Sequence, residues 1–68
     1  MSVNHGQYMQ EVSKVGRQYP TWRQGQVLFN VLDEMYPELA KSIIGGDLDP
    51  FYKQDNELTD FYDWLIMQ

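Results

Sequence analysis

Three prolines, Pro20, Pro37 and Pro50, constrain this chain most, because they cut it into pieces that cannot run together as one long helix. Proline lacks the amide a helix interior needs and pushes the preceding residue out of helical space. Each piece between them carries apolar residues at helical spacing. Tyr8, Val12 and Val15 recur at intervals of four and three, which predicts an amphipathic helix from Gln7 to Gln18, weakened by Gly16. Val27, Leu28, Val31, Leu32 and Met35 form a wide stripe that Phe29 and Tyr36 extend. Thr21 followed three residues later by Gln24 has the form of a capping box, so this helix is expected over Thr21–Tyr36.

Pro37 then suits a first helical position, with Glu38 favoured by the helix dipole. A second, shorter helix is expected from Pro37 to Ile44, with Leu39, Ala40, Ile43 and Ile44 as its buried side and Gly45 as its C-terminal cap. Leu58, Phe61, Tyr62, Leu65 and Ile66 predict a last helix over Glu57–Met67, capped by Asp55 or Asn56. The implied fold class is all-α: one small domain over residues 1–68, a compact bundle of three to five short helices. Residues 1–20 either dock on this bundle or move separately from it.

Size sharpens the expectation. A chain of 68 residues buries only about 60% of the surface its unfolded form exposes, so it needs some added source of stability. No cysteine is present, which removes disulfides and thiolate metal sites, and His5 is the single histidine, too isolated for an ordinary zinc site. Two Trp, five Tyr and three Phe point to aromatic packing, with oligomerisation as the other route. No apolar run approaches the ~18 residues of a membrane span, and no basic segment precedes an apolar one at the start. A cytoplasmic protein without a membrane partner is the expectation.

Charge is uneven along the chain. Residues 1–32 hold one acid and three bases, whereas residues 33–68 hold nine acids and two bases, for a net of −5 overall. The acidic half is a poor ligand for phosphates and a good one for a basic protein surface. Acidic residues also keep an aromatic-rich domain soluble, which is the plainer reading.

The stretch Gly45–Asp55, "GGDLDPFYKQD", is the most crowded with potential ligands. Measured against a helix–loop–helix calcium site, Asp47, Asp49 and Asp55 occupy the first, third and ninth positions. However, Phe51, Tyr52 and Leu58 stand where oxygen ligands and the turn glycine belong. A corner between helices explains the stretch better: Gly45 and Gly46 leave the helix, Asp47 or Asp49 caps the next turn, Pro50 opens a short helical piece, and Leu48, Phe51 and Tyr52 plug the bundle. No residue is marked as catalytic, since no carboxylate pair is placed in a distinct environment and no serine or threonine has a base other than His5. No metal and no cofactor are expected.

Two patches carry residue types found at binding hot spots. Trp22 and Arg23, flanked by Tyr19, form one; Asp60, Asp63 and Trp64 form the other. The structural alternative, which is the stronger, has Trp22 stapling the helix start against Tyr19 or Gln26, Arg23 paired with an acid, and Trp64 near Phe61 with Asp60 and Asp63 solvated.

The pattern Trp22-Arg23-x-Gly25-Gln26-x-x-Phe29-Asn30-x-Leu32, then Pro37-x-Leu39-Ala40-x-x-Ile43 and Asp47-x-Asp49-Pro50-Phe51-Tyr52, resembles small uncharacterised proteins of bacteria and their phages. The resemblance covers Trp22 to Leu65 and implies a bacterial or phage-infected cell, but brings no activity or partner. It draws attention to Gln26, Asn30, Asp49, Pro50, Phe51 and Tyr52 as a structural motif in which Gln26 or Asn30 hydrogen-bonds the corner to the long helix.

The expected role is therefore a non-enzymatic module that binds another protein, such as an accessory factor of a phage or mobile element that binds or inhibits a host or defence protein. Two alternatives stand beside it. One is a nucleic-acid mimic that presents Asp47, Asp49, Asp55, Glu57, Asp60 and Asp63 as spaced charges to a DNA-binding protein. The other is a self-assembling structural protein that buries Tyr8, Met9 and Val12 against a second copy.

Overall fold

The computed structural model of the protein describes residues 2–68. Four α-helices follow one another: α1 (His5–Gln18), α2 (Gln24–Met35), α3 (Pro37–Ile43) and α4 (Thr59–Ile66), with a 3₁₀ turn at Asp55–Glu57 before the last. Among the described residues no strand forms, and the class is all-α. The radius of gyration is 10.9 Å, which is what a folded chain of this length should have, about 11 Å.

Helix α1 begins two residues earlier than its apolar spacing predicts, because the Asn4 side chain accepts the Gln7 amide at 3.0 Å and caps it. Its apolar face packs on α2. Tyr8 is fully buried, with Val3 and Val12 beside it, so residues 2–20 belong to the same core as the rest. Of the three residues the self-assembly alternative would bury against a second copy, Tyr8 and Val12 are already covered within the chain, while Met9 is 40% exposed.

Helix α2 starts three residues later than expected. The Trp22 amide donates to the Tyr19 carbonyl at 3.0 Å, and the two rings stack with centroids 4.2 Å apart. Thr21 is held inside that turn, so it cannot cap; Arg23 takes the N-cap position without a side-chain cap. The apolar stripe behaves as its spacing predicts: Val27, Leu28, Val31 and Leu32 are the centre of the core.

Tyr36 closes α2 and opens α3. Its amide donates to the Leu32 carbonyl at 2.7 Å, while its own carbonyl accepts from Leu39 and Ala40 at 3.0 and 3.1 Å. Pro37 sits in the first turn of α3, where its missing amide costs nothing. The helix stops at Ile43. Gly45 then takes φ +75°, a left-handed conformation that disfavours any residue with a Cβ. Ile44, expected on the buried side, instead leaves the helix in an extended conformation and is 63% exposed.

Helix α4 starts at Thr59 rather than Glu57. A reciprocal box at Gln54 and Glu57 builds the 3₁₀ turn, and neither Asp55 nor Asn56 provides the cap. Leu58, Phe61 and Leu65 enter the core, but Ile66 faces outward. The first residues close over this helix. The Val3 amide donates to the Gln68 carbonyl at 3.0 Å, and the His5 Nε2 lies 2.8 Å from the Leu65 carbonyl. A carbonyl only accepts, so His5 must carry its proton on Nε2. The Asn4 amide donates to the Tyr36 hydroxyl at 3.0 Å.

Ion pairs contribute little to this fold. Glu11–Lys14 and Glu38–Lys41 are 3.9 and 4.0 Å apart on exposed helix faces, a class worth at most about 0.5 kcal/mol each. The buried tie is the Tyr8 hydroxyl, which donates to the Leu28 carbonyl at 2.6 Å. Burial, with Tyr62 as a second electrostatic cause, pushes the Tyr8 phenol far above its ordinary value. The native state thus keeps a proton that the unfolded chain loses above about pH 10. The stability this group supplies is complete below that pH and declines above it. Tyr8→Phe should cost about 1 kcal/mol at neutral pH and flatten the alkaline fall, as read by urea denaturation at about pH 7 and about pH 11.

Candidate functional site

The site grows out of the corner Gly45–Lys53. The Asp49 carboxylate organises it: one oxygen accepts the Gly45 amide at 2.9 Å, the other the Phe51 amide at 3.0 Å. Short turns fill the rest, with the Asp49 amide on the Gly46 carbonyl at 3.2 Å and the Lys53 amide on the Pro50 carbonyl at 3.1 Å. The Lys53 ammonium donates to the Asp47 carbonyl. Both oxygens of Asp49 are therefore committed to holding the loop closed.

The corner seats on the first turn of α2. A Cβ placed on Gly25 would collide with the Pro50 carbonyl oxygen, lie 3.0 Å from its carbon and 3.3 Å from the Lys53 carbonyl oxygen. Only a residue without a side chain allows this approach. The Arg23 guanidinium donates to the Phe51 carbonyl at 2.9 Å, so Arg23 meets a backbone oxygen rather than an acid. Phe51 meets Phe29 edge to face, with centroids 6.0 Å apart. Gln26 and Asn30, expected to lock the corner, are half-buried on α2. Among the described residues, the contacts that lock it come from Arg23, Gly25 and Phe29.

This seating turns successive residues in opposite directions. Pro50 is fully buried and Phe51 half-buried, while Tyr52, expected to plug the bundle, is 83% exposed. Ile44, Phe51 and Tyr52 then border a shallow apolar groove floored by Phe29, of about 280 Å³, with Asp49 at its edge. A second groove of about 270 Å³ lies on the other side of Tyr52. It shares Gly45 and Asp49 with the first and adds Lys53 and Glu57. Sequence reasoning places both Ile44 and Tyr52 on buried faces, and it is their exposure that it misses. The available signal was Gly45: a glycine that caps the helix from the left-handed region leaves the residue before it, Ile44, outside the helical turns and free to face solvent.

The other sequence candidates divide. Tyr19 and Trp22 stack on each other, and half-buried Trp22 lines a groove between α1 and α2 with Val15, Asn30 and Glu34. Arg23 borders a polar groove with Gln54, Asp55 and Asn56. Trp64 leans on Phe61 at 5.8 Å, and Asp60 and Asp63 are exposed on α4. Neither the Trp22 groove nor the Arg23 groove includes a residue of α4, so the two candidate patches form no common site there. Among the described residues no three His, Asp or Glu side chains are grouped to hold a metal ion, and no helix is long and apolar enough to cross a membrane.

Gly25→Ala should cost more than about 2 kcal/mol, because the new Cβ meets backbone that has no room to yield. Gly16→Ala, where a Cβ meets nothing within 4 Å, should instead stabilise by about 0.5 kcal/mol. Asp49→Ala should cost about 1–2 kcal/mol and speed amide exchange selectively at Gly45 and Phe51. Urea denaturation and amide exchange read these directly.

Comparison of the chain with protein-family models, with curated proteins and with solved structures returns no match.

Proposed function

We propose that this chain is a non-enzymatic protein-binding module whose contact surface is centred on Ile44 and Tyr52. The observation that carries the reading is the exposure of these two large apolar side chains on either side of a groove floored by aromatic rings. An exposed tyrosine beside an aliphatic residue costs solubility and contributes nothing to the core, and apolar surface of this kind is what partner proteins cover. The rigid corner beneath supports it further, since a surface held by Asp49, Arg23 and Gly25 loses little conformational freedom on binding.

The setting belongs to the same proposal. The resemblance carried by Trp22–Leu65 favours the cytoplasm of a bacterial or phage-infected cell, with the module acting as an accessory factor that binds or inhibits a host or defence protein.

The test is capture from bacterial lysate by the tagged protein and by an Ile44→Ser/Tyr52→Ser variant. Both side chains are exposed, so the variant should unfold within about 0.5 kcal/mol of the parent. A stoichiometric protein held by the parent and reduced about tenfold by the variant supports the reading. A partner retained equally by both, or none from any bacterial host tried, contradicts it.

A further inference from the structure

We infer that the segment this surface accepts is a basic one with an apolar anchor: an aliphatic or aromatic side chain seated in the Phe29–Phe51 groove, with lysine or arginine close by in sequence. This rests on the protein-binding reading and adds the chemistry of the partner. Two grooves of different character meet at Tyr52. One is apolar, bordered by Ile44 and Phe51; the other is polar and is lined by Asp49, Glu57 and Lys53. A single extended or helical segment that crosses Tyr52 touches both.

Charge selects the sign of that segment. Gly45–Leu58 carries four acids, Asp47, Asp49, Asp55 and Glu57, against one base, Lys53. The Lys53 ammonium is turned back onto the Asp47 carbonyl, which fixes where its charge sits without cancelling it. The local balance is therefore the net −3 of four acids and one base. Glu57 lines the polar groove and Asp47 follows its Gly46 in sequence; both are exposed, so a cation arriving beside the apolar anchor has two carboxylates within its reach. The exposed Tyr52 ring offers its face to the same cation.

The other occupants fit poorly. A second copy would bring an equally acidic rim and a net charge of −5 against the first, and like charges at an interface oppose association. A nucleic acid or an anionic membrane surface meets the same repulsion. A basic protein segment is the occupant that satisfies both grooves. The small area implies weak, reversible binding that is sensitive to salt.

The experiment is selection from a yeast-displayed library of random dodecapeptides by the folded protein, at ~50 mM and ~300 mM salt. The Ile44→Ser/Tyr52→Ser variant and an Asp47→Asn/Glu57→Gln variant serve as comparisons. The second variant removes two charges, while the amide that replaces the Glu57 carboxylate keeps an oxygen to accept the Gln54 amide. Enriched peptides should carry an apolar residue within one helical turn of lysine or arginine. They should lose binding with the first variant and bind the second roughly tenfold more weakly. Neutral or acidic peptides that depend on Ile44 and Tyr52 and bind the charge variant equally well would overturn the basic-segment inference and leave the binding surface standing. No enrichment dependent on Ile44 and Tyr52 would overturn both.

Discussion

The close approach of the Pro50 carbonyl to the α-carbon of Gly25 is the contact on which the second half of this structure depends. A helix N-terminus presents unpaired amides and a partial positive charge, and carbonyls of the corner stand over that turn. With no side chain on Gly25, backbone meets backbone. Arg23 then reaches the Phe51 carbonyl from one side and Phe29 meets the Phe51 ring from the other. Once Phe51 is fixed, its neighbour Tyr52 has no inward path.

Helix α2 is the common support. Tyr8 ties α1 to its middle through the Leu28 carbonyl, Tyr36 turns its end directly into α3, and its first turn carries the corner. A chain without disulfides can be held this way because α1 and α3 pack directly on α2, and buried residues of all four helices join one apolar cluster with Val27, Leu28, Val31 and Leu32. The surface proposed for binding is a consequence of this arrangement. Apolar side chains that the corner cannot turn toward α2 are left in solvent, concentrated beside the acidic turns.

Local chemistry made part of this legible. Pro37 marked the break between α2 and α3, Gly45 marked the exit from α3, and the spacing of Phe61 and Leu65 marked the buried face of α4. What was not legible depends on contacts between distant residues. Thr21 looks like a cap until the Tyr19–Trp22 turn occupies it. Gln26 and Asn30 looked like the locks of the corner because amides hydrogen-bond well, whereas the contact that matters at Gly25 is the absence of a side chain, which leaves no periodic trace. Ile44, Tyr52 and Ile66 each sit where the sequence pattern would bury them. The early end of α3 turns Ile44 outward and the seating of Phe51 does so for Tyr52, while Ile66 stands about 100° further round α4 than the buried Phe61–Leu65 edge.

The most direct measurement is a nuclear Overhauser spectrum of the isotope-labelled protein, read at Gly25 and Tyr52. Cross-peaks from the Gly25 α-protons to Pro50 and Lys53, with a Tyr52 ring that shows none to Leu58 or Phe61, are required by this seating of the corner. A Gly25 without contacts to the corner, or a Tyr52 ring packed on Leu58 and Phe61, would contradict it and remove the surface built on it.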